Sequence, residues 1–148
     1  MASDESQVAG HEDIAARGRC DVLQVDDSED DIILLRRALR QMGIASYCGA
    51  DSLKALEDAL KAGARAAVYV VDGEFPRFPG GKADILAGEA VKAIRWHDPK
   101  AYIILYSGLE NGDKLAGQLG VDFQEKGLGV VGPAKYVARI ARERRAGK

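Results

Sequence analysis

The sequence predicts an α/β fold in which a five-stranded parallel sheet, doubly wound, carries helices on both faces, and three observations point to that class. Apolar, β-branched runs alternate with segments of helical period along the chain. One run, Ala66 to Val71, is apolar throughout, as a strand must be when helices cover both of its faces. The residues directly after the runs are polar or charged, which suits the ligand-binding edge of an open parallel sheet.

Val22 to Val25 reads as the first strand, after which Ile32, Leu35, Leu39 and Met42 recur at the spacing of one buried helix face. Ser28 stands where an N-cap belongs, Asp31 follows it in the position of a capping-box acid, and Gly43 supplies a stop, so this helix is expected over about Glu29 to Met42. A short strand is expected near Ala45 to Cys48, then a helix with Leu53, Leu56 and Leu60 on one side, closed by Gly63. Ala66 to Val71 is the central strand and Asp72 ends it. The Pro- and Gly-rich stretch from Pro76 to Gly81 reads as a loop, and the next helix buries Val91 and Ile94 before Pro99. A fourth strand is expected over Ala101 to Tyr106, a Gly-interrupted helix over about Asn111 to Leu119, and a fifth strand over Val121 to Gln124. Pro133 can open the last helix at its first position, with Val137 and Ile140 facing inward. Residues 1–19 are polar and are expected to form a loosely held tail, leaving 20–148 as the folded domain.

A length of 148 residues with 47% hydrophobic content fills one sizeable core and leaves no room for a second domain. Lys and Arg number 21 against 23 Asp and Glu, a formal charge of −2, so no global basic field draws in nucleic acid. Cys20 and Cys48 are too few for a disulfide framework, and Met1 to Ser6 carry acids where a leader would carry bases. No aliphatic run approaches the roughly 20 residues that cross a bilayer. The expectation is a soluble, cytoplasmic protein that meets neither nucleic acid nor membrane.

Four separated segments supply the polar edge: Asp26-Asp27 after the first strand, Asp72 after the third, Ser107-Gly108 after the fourth, and Glu125-Lys126 after the fifth. Three carboxylates gathered there repel one another, by about 4 kcal/mol per close pair at the effective dielectric of a protein surface. A cation offsets this, and oxygen ligands without Cys or His nearby suit Mg²⁺, which commonly bridges carboxylate to phosphate. Lys126 and Ser107 suit the charge that spreads over equatorial oxygens in phosphoryl transfer, with Asp72 as the nucleophile.

On these residues the sequence resembles the response-regulator receiver domains of two-component signalling. The resemblance rests on Val25-Asp26-Asp27, on Val70-Val71-Asp72 with Pro76 four residues on, on Tyr106-Ser107-Gly108, and on Phe123 three before Lys126, and it covers about Asp21 to Arg144. It implies the flavodoxin-like, CheY-like strand order 2-1-3-4-5. It further implies Asp27 and Asp72 as direct Mg²⁺ ligands, Asp26 as a ligand through water, and the Glu74 backbone carbonyl as another. Asp72 would take a phosphoryl group from a histidine kinase or histidine phosphotransfer protein. Ser107 and Phe123 would be the switch residues, Lys126 would pair with the phosphoryl oxygens, and the face of the last two helices and fifth strand would bind a downstream protein partner. Three positions depart from the family's pattern: the connection from Pro76 to Gly88 is long, Gly127 stands where Pro is common, and Leu109 occupies a site that is often polar.

Each feature also has a plainer reading. Asp27 or Ser28 would serve as a helix cap, Lys126 as a solvated lysine and Phe123 as core filling. His11 and His97 read as surface residues. Arg139, Arg142, Arg144 and Arg145 form either a docking patch or a solvated helix end. The functional reading is a stand-alone receiver that catalyses its own phosphorylation and dephosphorylation and signals through protein contacts. Two other classes compete with it: a phosphorylation-independent pseudo-receiver, and a hydrolase with an aspartyl-phosphate intermediate and Glu74 as its second acid.

Overall fold

The computed structural model describes residues 19–147. The expected tail, apart from Arg19, lies outside the described residues, as does His11.

β1 (Cys20–Val25) is buried along its whole length and delivers the chain to α1 (Glu29–Gln41). The Ser28 hydroxyl accepts the Asp31 amide at 3.3 Å, so Ser28 is the N-cap. Glu29, Asp30 and Asp31 fill the first turn, where the helix dipole favours negative charge. β2 (Tyr47–Ala50) begins two residues later than expected. Its register is set by β1: the amides of Asp21 and Val22 both donate to the Ser46 carbonyl, and the ladder proper starts with Val22 opposite Tyr47. α2 (Leu53–Lys61) is capped by Ser52, and β3 (Ala66–Val71) is fully buried, as its composition requires.

The segment after Asp72 is not the simple loop expected. β4 (Glu74–Pro76) and β5 (Ala83–Ile85) pair antiparallel as a small ribbon, leaving Arg77 to Lys82 as its turn. The ribbon is anchored at its base. Phe75 is buried in the core, the Arg77 carbonyl accepts the Lys54 amide at 2.9 Å, and the Arg77 guanidinium forks onto Glu89 at 2.9 and 3.1 Å. Strands of three residues are too short to show alternation, so this ribbon left no periodic signal.

α3 (Ala87–His97), β6 (Ile103–Ser107), α4 (Gly112–Leu119), β7 (Asp122–Glu125) and α5 (Val131–Gly147) complete the chain. Pro133 is the third residue of α5 and not the first. The first turn tolerates it there, because the amide it lacks would have no helical partner.

The five long strands are parallel in the order β2-β1-β3-β6-β7, which is the expected 2-1-3-4-5 once the ribbon strands are set aside. Alternation along the strands splits the core in two. Leu23, Val25, Tyr69, Val71 and Leu105 pack with α2, α3 and α4, whereas Val22, Val68, Val70, Ile104 and Tyr106 pack with α1 and α5. The helix-end arginines are more than a solvated face. Arg144 donates to the Ala67 and Lys100 carbonyls, Arg142 to the Met42 carbonyl, and Arg145 to Asp21, so they fasten α5 to the amino-terminal end of the sheet. Only Arg139 keeps a local partner, Glu143.

Candidate phosphoryl and metal site

The carboxyl ends of β1, β3, β6 and β7 converge as the topology requires. Asp26, Asp27 and Asp72 each bring one carboxylate oxygen within 4.8 Å of the others, the only such group among the described residues. They differ in exposure: Asp26 is 1% exposed, Asp72 half-buried and Asp27 exposed. A buried carboxylate must be satisfied locally, and Asp26 is. Its Oδ1 accepts the Ser28 amide at 2.9 Å, while its Oδ2 accepts Lys126 Nζ at 2.7 Å and Gln24 Nε2 at 3.4 Å. Gln24, itself buried in β1, accepts the Tyr47 hydroxyl. A polar chain thus runs from Tyr47 on β2 through Gln24 to Asp26. Burial pushes the Tyr47 hydroxyl pKa well up, so it acts as a donor and not an acid.

Lys126 occupies the centre of the cluster. Besides Asp26, its Nζ donates to Asp31 Oδ2 at 2.8 Å and to Asp72 Oδ2 at 3.2 Å, and the Tyr106 ring centroid lies 5.5 Å away. Burial alone would lower the ammonium pKa. The hydrogen bonds to Asp26 and Asp31 and the charge of Asp72 outweigh it, so the net shift is upward and the lysine stays charged. Lys126 is therefore held by three carboxylates at once. Gly127 follows it with φ +96°, a conformation that suits glycine.

Asp72 behaves differently from a surface carboxylate. Burial and the neighbouring charge of Asp26 push its pKa up to about 7, against the opposing pull of Lys126 and of the Gly73 amide, which donates to Asp72 Oδ1 at 2.6 Å.

Ser107 is fully buried at the end of β6, and its Oγ accepts the Leu109 amide at 3.0 Å. Gly73 fits closely into this packing: a Cβ there would lie 2.5 Å from Leu109 Cδ1 and 2.8 Å from Ser107 Oγ, so those side chains would have to shift for any larger residue. Phe123 is half-buried, its ring against Gly112 at the start of α4, where a Cβ would meet Phe123 Cε1 at 2.9 Å. Glu74 opens the ribbon and is exposed. It lines the same cavity, of about 280 Å³, as Asp27, Asp72, Ala83 of β5, Ser107, Leu109 and Lys126. A larger groove of about 970 Å³ between α3 and α4, beside His97 and the exposed Trp96, lies away from the carboxylate group.

The structure thus brings Asp26, Asp27, Asp72, Ser107 and Lys126 together, with Glu74 at the rim and Phe123 one layer behind. Three participants were not read from the sequence. Asp31 reads from the sequence as a capping-box acid, yet the Ser28 amide is taken by Asp26, and the Asp31 side chain reaches Lys126 instead. Its place in the first turn of the helix that follows the Asp26-Asp27 pair is the available signal. Gln24 looked like one polar residue inside an apolar strand, and nothing in the sequence marks Gly73 apart from its place after Asp72.

No protein-family profile and no curated protein sequence matches the chain. Solved structures do. A response regulator receiver protein from Sinorhizobium medicae WSM419 superposes with a TM-score of 0.64 at 21% identity, over 83% of this chain and 94% of that one. A CheY-like response regulator receiver domain protein from Methanospirillum hungatei JF-1 gives 0.67 at 14% identity, over 88% and 98%. The beryllofluoride-activated NtrC4 receiver domain gives 0.63 at 23%, over 86% and 98%. The chain has the fold of response-regulator receiver domains. No helix among the described residues is long and apolar enough to cross a membrane.

Proposed function

We propose that this chain is a response-regulator receiver that accepts a phosphoryl group on Asp72 in the presence of Mg²⁺. The observation that carries this reading is the convergence of Asp26, Asp27 and Asp72 around one ammonium, that of Lys126, at the carboxyl edge of a receiver-type sheet. The donor set fits a hard divalent cation: three carboxylates, no thiolate or imidazole, and a surplus of negative charge that one lysine only partly offsets. Asp26, Asp27 and Asp72 would hold the ion, with the Glu74 carbonyl as a further ligand. Bound there, Mg²⁺ would supply charge neutralisation for the transferring phosphoryl group.

The remaining chemistry belongs to the chain. An Asp72 carboxylate oxygen attacks phosphorus, a new O–P bond forms, and the P–N bond of a phosphohistidine donor breaks. The departing imidazole nitrogen keeps the electron pair. Lys126, 3.2 Å from Asp72, would pair with the added phosphoryl oxygens, and the Ser107 hydroxyl, buried beside Gly73 and accepting from the Leu109 amide, keeps its own hydrogen with which it would donate to them. Phe123, packed on Gly112, would couple that change to α4, β7 and α5. The donor is read as a histidine kinase or histidine phosphotransfer protein, and the output as contact with a downstream protein.

Incubation with an acyl phosphate and Mg²⁺, followed by intact-mass measurement, tests the reading. One phosphoryl adduct on the wild type and none on Asp72→Asn is expected. No adduct with a folded wild type would favour the phosphorylation-independent module, and continuous turnover of a general phosphomonoester would favour the hydrolase.

A further inference from the structure

Asp31 stands apart from the other carboxylates around Lys126. It lies on the first turn of α1, is the most exposed of the three partners, and is not one of the acids that can share a metal ion. An ammonium has three hydrogens, and Lys126 has three carboxylate acceptors, at 2.7, 2.8 and 3.2 Å. Its donors are therefore all spent before any phosphoryl group arrives.

Two of those acceptors change when the site is used as proposed above, on which this inference rests. A divalent cation among Asp26, Asp27 and Asp72 draws on their charge and repels the ammonium. Esterification removes the charge of the Asp72 carboxylate itself. Asp31 undergoes neither change and stays within hydrogen-bonding distance of Lys126.

We propose that Asp31 is a positioning residue that holds Lys126 at the mouth of the site and competes with the phosphoryl group for its ammonium. It sets a threshold: the phosphoryl group must outbid Asp31 before Lys126 closes over it. The contact also ties α1 to the end of β7, elements 95 residues apart in sequence, so release of the lysine frees one element from the other.

Beryllofluoride, which mimics a phosphoryl group on a carboxylate, serves as the probe, titrated by calorimetry with Mg²⁺ saturating. Wild type, Asp31→Asn, Lys126→Met and the double variant form a cycle. Asp31→Asn should tighten binding about fivefold when Lys126 is present and by less than about twofold in the Lys126→Met background. Asp31→Glu, which keeps the charge, should stay near wild type. In metal-free protein, the Lys126 ¹⁵Nζ resonance should move in Asp31→Asn, a change that altered folding elsewhere would not give. Equal tightening in both backgrounds would show a through-space charge effect and overturn the proposal. So would weaker binding with Lys126 present, or an unmoved resonance. Wild type that takes up no beryllofluoride would overturn the phosphoryl-acceptor reading itself, and this inference with it; any of the preceding results with a wild type that binds overturns the inference alone.

Discussion

Lys126 Nζ lies 2.7 Å from Oδ2 of Asp26, a carboxylate that is 1% exposed. In the metal-free protein this contact is the main compensation for a charge that has almost no access to water. Removing the lysine strands Asp26 and leaves Asp72 and Asp31 facing it. Lys126→Met should therefore destabilise the metal-free fold by about 3 kcal/mol, the usual cost of breaking a buried pair from one side. Millimolar Mg²⁺ should return most of that loss, because a cation again sits among the carboxylates. Urea melts with and without Mg²⁺ check this; a variant equally destabilised in both would mean that Lys126 matters by packing alone.

Asp72 gives a pH signature of known sign. Its pKa in the fold is raised to about 7, above the unfolded value, so the native state binds more protons than the unfolded state between about pH 4 and pH 7. Stability contributed by this group is complete below that window and is lost as pH rises through it. Asp72→Asn keeps the shape without the ionisation. In metal-free buffer it should match wild type near pH 4 and exceed it at pH 8 by about 4 kcal/mol. A pH-independent difference in melting would contradict the raised pKa.

Tyr47→Phe isolates the polar chain behind the site. The substitution leaves the buried Gln24 oxygen without its donor, which should cost about 1–2 kcal/mol. Adding Gln24→Leu should recover part of the loss, since a matched apolar pair leaves no orphan, and Asp26 retains its bonds to Ser28 and Lys126. Additive losses in denaturant melts would show that the two side chains do not act as a pair.

The sequence disclosed whatever depends on periodicity and on strand ends. Ala66 to Val71 is apolar because both faces are covered, and Asp26, Asp27, Asp72, Ser107 and Lys126 lie at the last residue of a strand or within two residues after it, so locating the strands located them. What depends on side-chain reach stayed hidden. Asp31 on a first helical turn reads equally as a cap or as a partner for a lysine 95 residues away, and only the packing of α1 against the sheet decides. The β4–β5 ribbon escaped because its strands are three residues long and held by Phe75 and Arg77 instead of by an alternating pattern. Gly73 escaped because the close fit around it arises from Leu109 and Ser107, more than thirty residues downstream.

If Asp72 takes a phosphoryl group as proposed, the lifetime of that state is expected to turn on Leu109. Its Cδ1 lies 2.5 Å from the point a Gly73 Cβ would occupy, so the side chain covers the backbone that donates to Asp72 Oδ1. Hydrolysis of an acyl phosphate needs water in line with the bond from phosphorus to Asp72, and Leu109, which lines the cavity with Asp72, takes up space there and offers water no hydrogen bond. An amide or carboxylate of similar length would offer one. Leu109→Gln and Leu109→Glu should therefore shorten the phosphorylated half-life in excess Mg²⁺ by about threefold to tenfold, a barrier change of about 1 kcal/mol. Leu109→Met, apolar and of similar volume, should leave it near wild type. The decay is read by intact mass after the donor is removed. Half-lives unchanged or longer in both polar variants would assign control of water to another part of the cavity lining, such as Ala83 of the ribbon.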